Sequence, residues 1–280
     1  MDQRIDVRTE DGVLDCHLFT PDDATLPGPK PRPTSAPEHE SRPTSSGWPL
    51  VVVYMDAFGI RPALAGMARR LASHGYAVAL PNLYYRHGAF PTLDPKAVAA
   101  GGAERDRFKG MIASITNGTV MRDTAHVLEA LRSAPVVKSG PMAAVGYCMG
   151  GGFALSAAGT FPDRVVAAAS FHGGSLATDK PDSAHLLAPR MRAAVYVGVA
   201  GIDPTFDEAQ RLRLEEALGA AGVKYVLEVY DGAKHGFAVD EHLAYDRQAA
   251  DRHWTALTTL LRDTLGPVDS QIATETLAGG

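Results

Sequence analysis

The stretch Val145-Gly146-Tyr147-Cys148-Met149-Gly150-Gly151-Gly152 constrains this chain more than any other. It joins an apolar run, residues 142–145, to a segment of helical character, residues 151–159. A sharp turn from strand into helix lifts its apex residue above the sheet edge, and it closes only if the residues two before and two after the apex are glycine-like. The apex here is a cysteine at a helix N-terminus, where partial positive charge and free backbone N–H groups favour a thiolate and a developing oxyanion alike. Cys148 is therefore expected to be a nucleophile. Cys16, on an alternating strand without glycine or histidine around it, is expected to be an inert core residue.

The rest of the chain supplies what such a turn needs. Short Val-rich runs at 50–54, 77–80, 142–145, 165–171, 193–199 and 225–230 read as strands, and residues 63–73, 119–133, 151–159, 207–221 and 245–265 read as helices. Their alternation implies βαβ units and a mostly parallel sheet with helices on both faces. With 45% hydrophobic and 21% charged residues, there is enough apolar material to cover both faces. A hairpin at 5–7 and 14–19, turning at Glu10-Asp11-Gly12, precedes the first parallel strand. The whole length, 1–280, is expected to form one domain. The Pro-, Ser- and Thr-rich residues 21–47 read as a flexible insert, and the Gly-ended tail from about 267 as frayed. Residues 86–118, broken by His87-Gly88, Phe90-Pro91 and Asp94-Pro95, form an excursion with a possible helix at 103–114, a candidate lid or pocket wall.

A thiol nucleophile needs a base, and the base an orienting acceptor. The chain order expected with such a turn is nucleophile, acid, histidine, each later member on a loop after a later strand. His235, in Asp231-Gly232-Ala233-Lys234-His235-Gly236-Phe237, lies between the last strand and the last helix, whereas His126, His242 and His253 fall in or beside helices and read as structural. Asp203 follows the strand at 193–199, 55 residues after Cys148 and 32 before His235. Asp207 is the alternative acid, although its place suits the first turn of a helix.

Composition narrows the partners. A net charge of −5 without clustered Lys or Arg argues against nucleic acid. No run reaches the roughly 18 apolar residues of a membrane span, and the N-terminus has no apolar run behind its charges, so a cytoplasmic protein is expected, monomer or homodimer. Two cysteines with no paired spacing give neither a disulfide framework nor a zinc site; no metal or cofactor is expected. Asn117-Gly118-Thr119 matches a glycosylation sequon and is read as chance.

With these residues in place, the chain resembles the dienelactone hydrolase family of the α/β-hydrolase fold from about Leu50 to Leu265. Met55-Asp56-Ala57-Phe58-Gly59, Gly146-Tyr147-Cys148-Met149-Gly150-Gly151 and Lys234-His235-Gly236-Phe237 carry the resemblance. It implies a Cys148, His235, Asp203 triad and oxyanion donors from the N–H groups of Met149 and Ala57. It further implies that Asp56, one methylene shorter than the family's usual glutamate, contacts the thiol, with an Asx turn near Gly59 as the alternative. Arg86 matches a family arginine that receives a substrate carboxylate; a second such arginine is replaced by Val239, which argues against dienelactone itself. His172 and Phe237 are expected in the pocket wall. His172-Gly173-Gly174 lies after the turn, not before it, and so is not the oxyanion motif of lipases.

The resulting expectation is a cysteine-dependent hydrolase of a small ester or lactone through a thioester acyl-enzyme. The rivals are a degenerate hydrolase that binds a ligand or runs an isomerase or lyase reaction in the same pocket, and a thiol redox sensor lacking a nearby resolving cysteine.

Overall fold

The computed structural model describes residues 1–21, 47–90 and 92–266. Apart from its two end residues, the expected insert at 21–47 lies outside the described residues, as does the tail from 267.

Eight strands form one sheet: β1 (Asp2–Thr9), β2 (Gly12–Phe19), β3 (Trp48–Tyr54), β4 (Ala77–Pro81), β5 (Val137–Tyr147), β6 (Val165–Phe171), β7 (Ala194–Ile202) and β8 (Tyr225–Lys234). Their order is β1-β2-β4-β3-β5-β6-β7-β8. β1 pairs with β2, and β2 with β4, antiparallel. Every other neighbouring pair is parallel. Helices α1 (Pro62–Ser73), α2 (Pro95–Ala100), α3 (Ala103–Ala113), α4 (Asn117–Leu131), α5 (Met149–Thr160), α6 (Glu208–Ala220) and α7 (Arg247–Leu265) connect them, with 3-10 turns at Tyr85–His87 and Ala184–Arg190. This is the α/β-hydrolase architecture.

The central strands read as continuous apolar runs because both sides of the sheet are covered. Side chains on a strand alternate between faces. On β5, Tyr147 meets α7 through a 3.0 Å hydrogen bond between its hydroxyl and His253 Nε2. On β3, Tyr54 pairs with Gly146 in register, so it points the other way from Tyr147. Its hydroxyl bonds Thr124 of α4 at 3.0 Å, and its ring lies against Phe153 of α5. α7 therefore covers one face, and α4 and α5 the other. α1 joins α7, where the Arg70 guanidinium lies 4.1 Å from the Trp254 ring centre. α1 buries an i, i+3, i+4 stripe of Ala63, Leu64, Met67, Ala68 and Leu71.

Two strands run longer than their apolar stretches. β5 starts at Val137, where it pairs with Trp48, before a shift in register. β8 continues to Lys234, where it pairs with Ile202 after another shift. The second extension matters for function: it carries Asp203 and His235, just past paired residues, to the same end of the sheet. The carboxyl ends of β3, β5, β7 and β8 all open there, the usual ligand crevice of an open parallel sheet.

Candidate active site

Cys148 is the residue between β5 and α5, held at φ +55° and ψ −119°, a conformation rare for a residue with a side chain. Close contacts leave the turn no freedom. A Cβ on Gly146 would lie 1.9 Å from the Gly150 carbonyl oxygen, and one on Gly150 would lie 2.3 Å from that of Tyr54. The backbone is pinned by the Cys148 N–H, which donates to Phe171 O at 3.1 Å. The sulfur is thus half-buried at the start of a helix whose first N–H groups have no intrahelical acceptor. Among the described residues, the N–H groups of Met149 and Ala57 take no acceptor in the loop and cap hydrogen bonds. Tyr84 holds the Ala57 peptide by donating its hydroxyl to Ala57 O at 3.0 Å.

His235 follows β8, its N–H donating to Ile202 O at 3.2 Å. Its Nδ1 donates to Asp203 Oδ2 at 2.6 Å. Asp203 Oδ1 accepts from the Thr205 N–H at 2.8 Å and hydroxyl at 2.6 Å. These bonds fix the ring and leave Nε2 for the Cys148 sulfur, which lines the same cavity as His235. Burial alone would lower the His235 pKa, but the Asp203 carboxylate and the Cys148 sulfur outweigh it and raise the value to about 10. Burial likewise acts to raise the Asp203 carboxyl, and its bonds to His235 and Thr205 bring it below the ordinary range. Asp207, the alternative acid, instead caps α6 by accepting from Gln210 N at 2.9 Å.

The structure treats the remaining expected residues less uniformly. Asp56 accepts both terminal nitrogens of Arg61 at 2.7 Å, and its Oδ1 also accepts the Phe58 N–H at 2.9 Å. The Asx turn near Gly59 is therefore present, and the carboxylate is engaged in a buried ion pair. Arg86 does not reach the cavity as expected. Its Nη1 and Nη2 donate to Asp123 at 2.8 Å each and its Nε to Asp11 at 2.8 Å, tying the 3-10 turn to α4 and the opening hairpin. The physical reason is Asp123, a buried carboxylate whose charge requires that partner.

His172 and Phe237 also correct the expectation: both are buried behind His235 rather than in the cavity wall. The His172 ring stands edge-on to His235 and Phe237 at 5.3 and 5.2 Å, and Phe237 stacks on Tyr230. Burial first, then neighbouring His235, hold His172 far below the usual histidine pKa, so it packs against the His235 ring as a neutral group.

The cavity beside Cys148 has a volume of about 750 Å³. Cys148, His235 and Ala57 line it, together with Phe58 of the Met55–Gly59 motif and with residues that the sequence does not mark for the site: Thr205, His242 and Phe108, whose ring stacks on Phe58. His242 was read as structural, yet it faces this cavity. Its Nδ1 accepts the Ala244 N–H at 3.1 Å, which leaves the proton of the neutral ring on Nε2. Room for it exists because Gly236 has no Cβ, which would fall 2.2 Å from His242 Nδ1. The 86–118 excursion supplies one wall through α3, so the pocket-wall reading of it holds. Among the described residues, no cluster of His, Cys, Asp or Glu could hold a metal, and no helix is long and apolar enough to cross a membrane.

Comparison with known proteins places this geometry. The sequence profile of the dienelactone hydrolase family matches residues 39–265. An Escherichia coli O157:H7 protein provisionally named carboxymethylenebutenolidase is 29% identical over 244 residues, 84% of this chain and 86% of that one. The carboxymethylenebutenolidase of Rhodococcus opacus is 28% identical over 71% of this chain and 73% of its own. In fold, the chain is similar to a dienelactone hydrolase-like promiscuous phosphotriesterase from metagenomic libraries, with a TM-score of 0.65, 24% identity and coverage of 94% and 98%.

Proposed function

Because this chain belongs to the dienelactone hydrolase family and is a hydrolase acting on carboxylic ester bonds, we propose that it cleaves a small ester or lactone through a thioester on Cys148. The observation that carries the mechanism is the grouping of sulfur, imidazole and carboxylate: Cys148 and His235 line one cavity, and the His235 Nδ1 holds Asp203 at 2.6 Å.

In the first half-reaction the Cys148 sulfur adds to the carbonyl carbon, the proton of the pair being held on the His235 imidazole. The carbonyl oxygen takes the electron pair and settles on the N–H groups of Ala57 and Met149. Asp203, held ionised by Thr205, balances the imidazolium. Collapse of the adduct breaks the C–O bond, and His235 protonates the leaving alkoxide; in a lactone the alcohol stays joined to the acyl group. In the second half-reaction His235 takes a proton from water, the hydroxide adds to the thioester, and the sulfur leaves as a thiolate beside the protonated imidazole. Esters suit this nucleophile better than amides, because the thiolate is itself easily expelled when the other leaving group is poor.

Intact-protein mass spectrometry after brief exposure to activated esters and lactones tests the reading. A mass increment that forms and decays on the wild type, and is missing from Cys148→Ala, is the expected result. Undiminished turnover by Cys148→Ala would remove the mechanism.

A further inference from the structure

The wall of the cavity near the sulfur is hydrocarbon. Phe58 and Phe108 stack with ring centres 5.0 Å apart, and Ile112, Ile115 and Phe153 continue the surface. Phe58 directly follows Ala57, and Phe153 stands one helical turn after Met149. The apolar wall therefore begins at the proposed oxyanion donors, beside the position of the reacting carbonyl.

Charge is held away from this wall. Among the described residues no arginine lines the cavity. Arg61 is taken up by Asp56 and Glu241, and Arg86 by Asp123 and Asp11. The two lysines that reach the cavity, Lys109 and Lys180, are solvent-exposed, and an exposed Asp182 shares their rim.

We propose that this cavity selects uncharged esters with a bulky apolar acyl group and discriminates against substrates carrying a carboxylate on that group. The selection rests on the Cys148-dependent hydrolysis proposed above and adds the substrate class. A volume of about 750 Å³ holds an acyl group far larger than acetyl. A carboxylate placed against the aromatic part of the wall would lose water with no arginine to meet it, the two lysines standing on the solvent-exposed rim, whereas each added methylene that is buried is worth about fourfold in transition-state binding.

The test compares 4-nitrophenyl acetate, butyrate, hexanoate and hydrogen glutarate, the last matching hexanoate in length but ending in a carboxylate. Wild-type kcat/KM is expected to rise by about two orders of magnitude from acetate to hexanoate, and to fall about 100-fold from hexanoate to hydrogen glutarate. Phe108→Ala is expected to shrink the hexanoate-to-acetate ratio about tenfold. In parallel, calorimetry on Cys148→Ala measures binding of hexananilide and of glutaric acid monoanilide, with the neutral anilide expected to bind at least about tenfold tighter. A flat chain-length series, a preference for hydrogen glutarate, or equal binding of the two anilides overturns the proposal. If no ester is turned over while hexananilide is still preferred, the hydrolase mechanism fails and the cavity's selectivity stands. If esters are turned over without the expected preferences, the mechanism stands and the selectivity fails.

Discussion

The chain has two cysteines, and the fold uses them in opposite ways. Cys16 lies in β2, 1% exposed, and burial, against a backbone hydrogen bond from Leu80, pushes its thiol up to about 12. Cys148 has the same side chain on a backbone turned to positive φ, half-exposed to a cavity, with His235 at the sulfur. Under the proposed mechanism reactivity is a property of place: extended backbone packs a thiol into the sheet, and a strained turn at a helix N-terminus opens it to the cavity.

Breaking that contrast should give the largest effect. Cys148→Ala is expected to lower kcat/KM by about 10⁴-fold or more, and Cys16→Ala to leave it within about twofold while costing roughly 1–2 kcal/mol of stability. Steady-state kinetics and urea unfolding separate the two, and comparable losses of rate would erase the distinction. Iodoacetamide should label one thiol in the native protein and the second only on unfolding.

The two aspartates after β7 make a second contrast. Asp203→Asn is expected to cut kcat by about 10²–10⁴-fold, because the imidazole loses its orienting charge. Asp207→Asn should leave the rate nearly unchanged, since asparagine caps a helix as well as aspartate does; a large rate loss there would reassign the acid.

Arg86→Ala should act on stability rather than charge selectivity. It leaves Asp123, 2% exposed, without its cation, and a loss of about 2–4 kcal/mol follows. A changed preference between 4-nitrophenyl hexanoate and hydrogen glutarate in this variant would return Arg86 to the substrate site.

The smallest expected effect sets two histidines against each other through pH. The His235 pKa rises from 6.5 to about 10 on folding, so its contribution to stability is complete below the unfolded value and is lost as pH rises toward about 10. For His253, burial lowers the pKa to about 3, only partly countered by the Ala250 carbonyl, so its effect runs the other way: stability present above 6.5 is lost as pH falls toward about 3. The gap in urea midpoint between wild type and His235→Asn should therefore shrink from pH 6 to pH 10. A gap that stays constant contradicts the raised value.

The legible features were local. The glycine spacing around Cys148 is demanded by contacts a few residues away, and alternation of Val-rich runs with helical periods is a statement about nearest neighbours in sequence. Asp203 and His235 were found because each ends a strand in a fixed chain order. The starts of β5 and the end of β8 were not, since they depend on pairing with Trp48 and Ile202 across register shifts that no single strand announces.

The parallel sheet and the turn that lifts Cys148 follow from the amino-acid order alone, because backbone geometry and periodicity act over short distances. Only the tertiary structure decided which charges are free. Arg86 looks like a carboxylate receptor until Asp123, 37 residues on, is folded against it. Phe237 and His172 look like pocket walls until the packing of β8 and α7 puts them behind His235. His242 has the sequence context of a structural residue and takes a place at the cavity through Gly236 and the Ala244 N–H. A side chain's use depends on what neutralises or covers it, and those neighbours are distant in the chain.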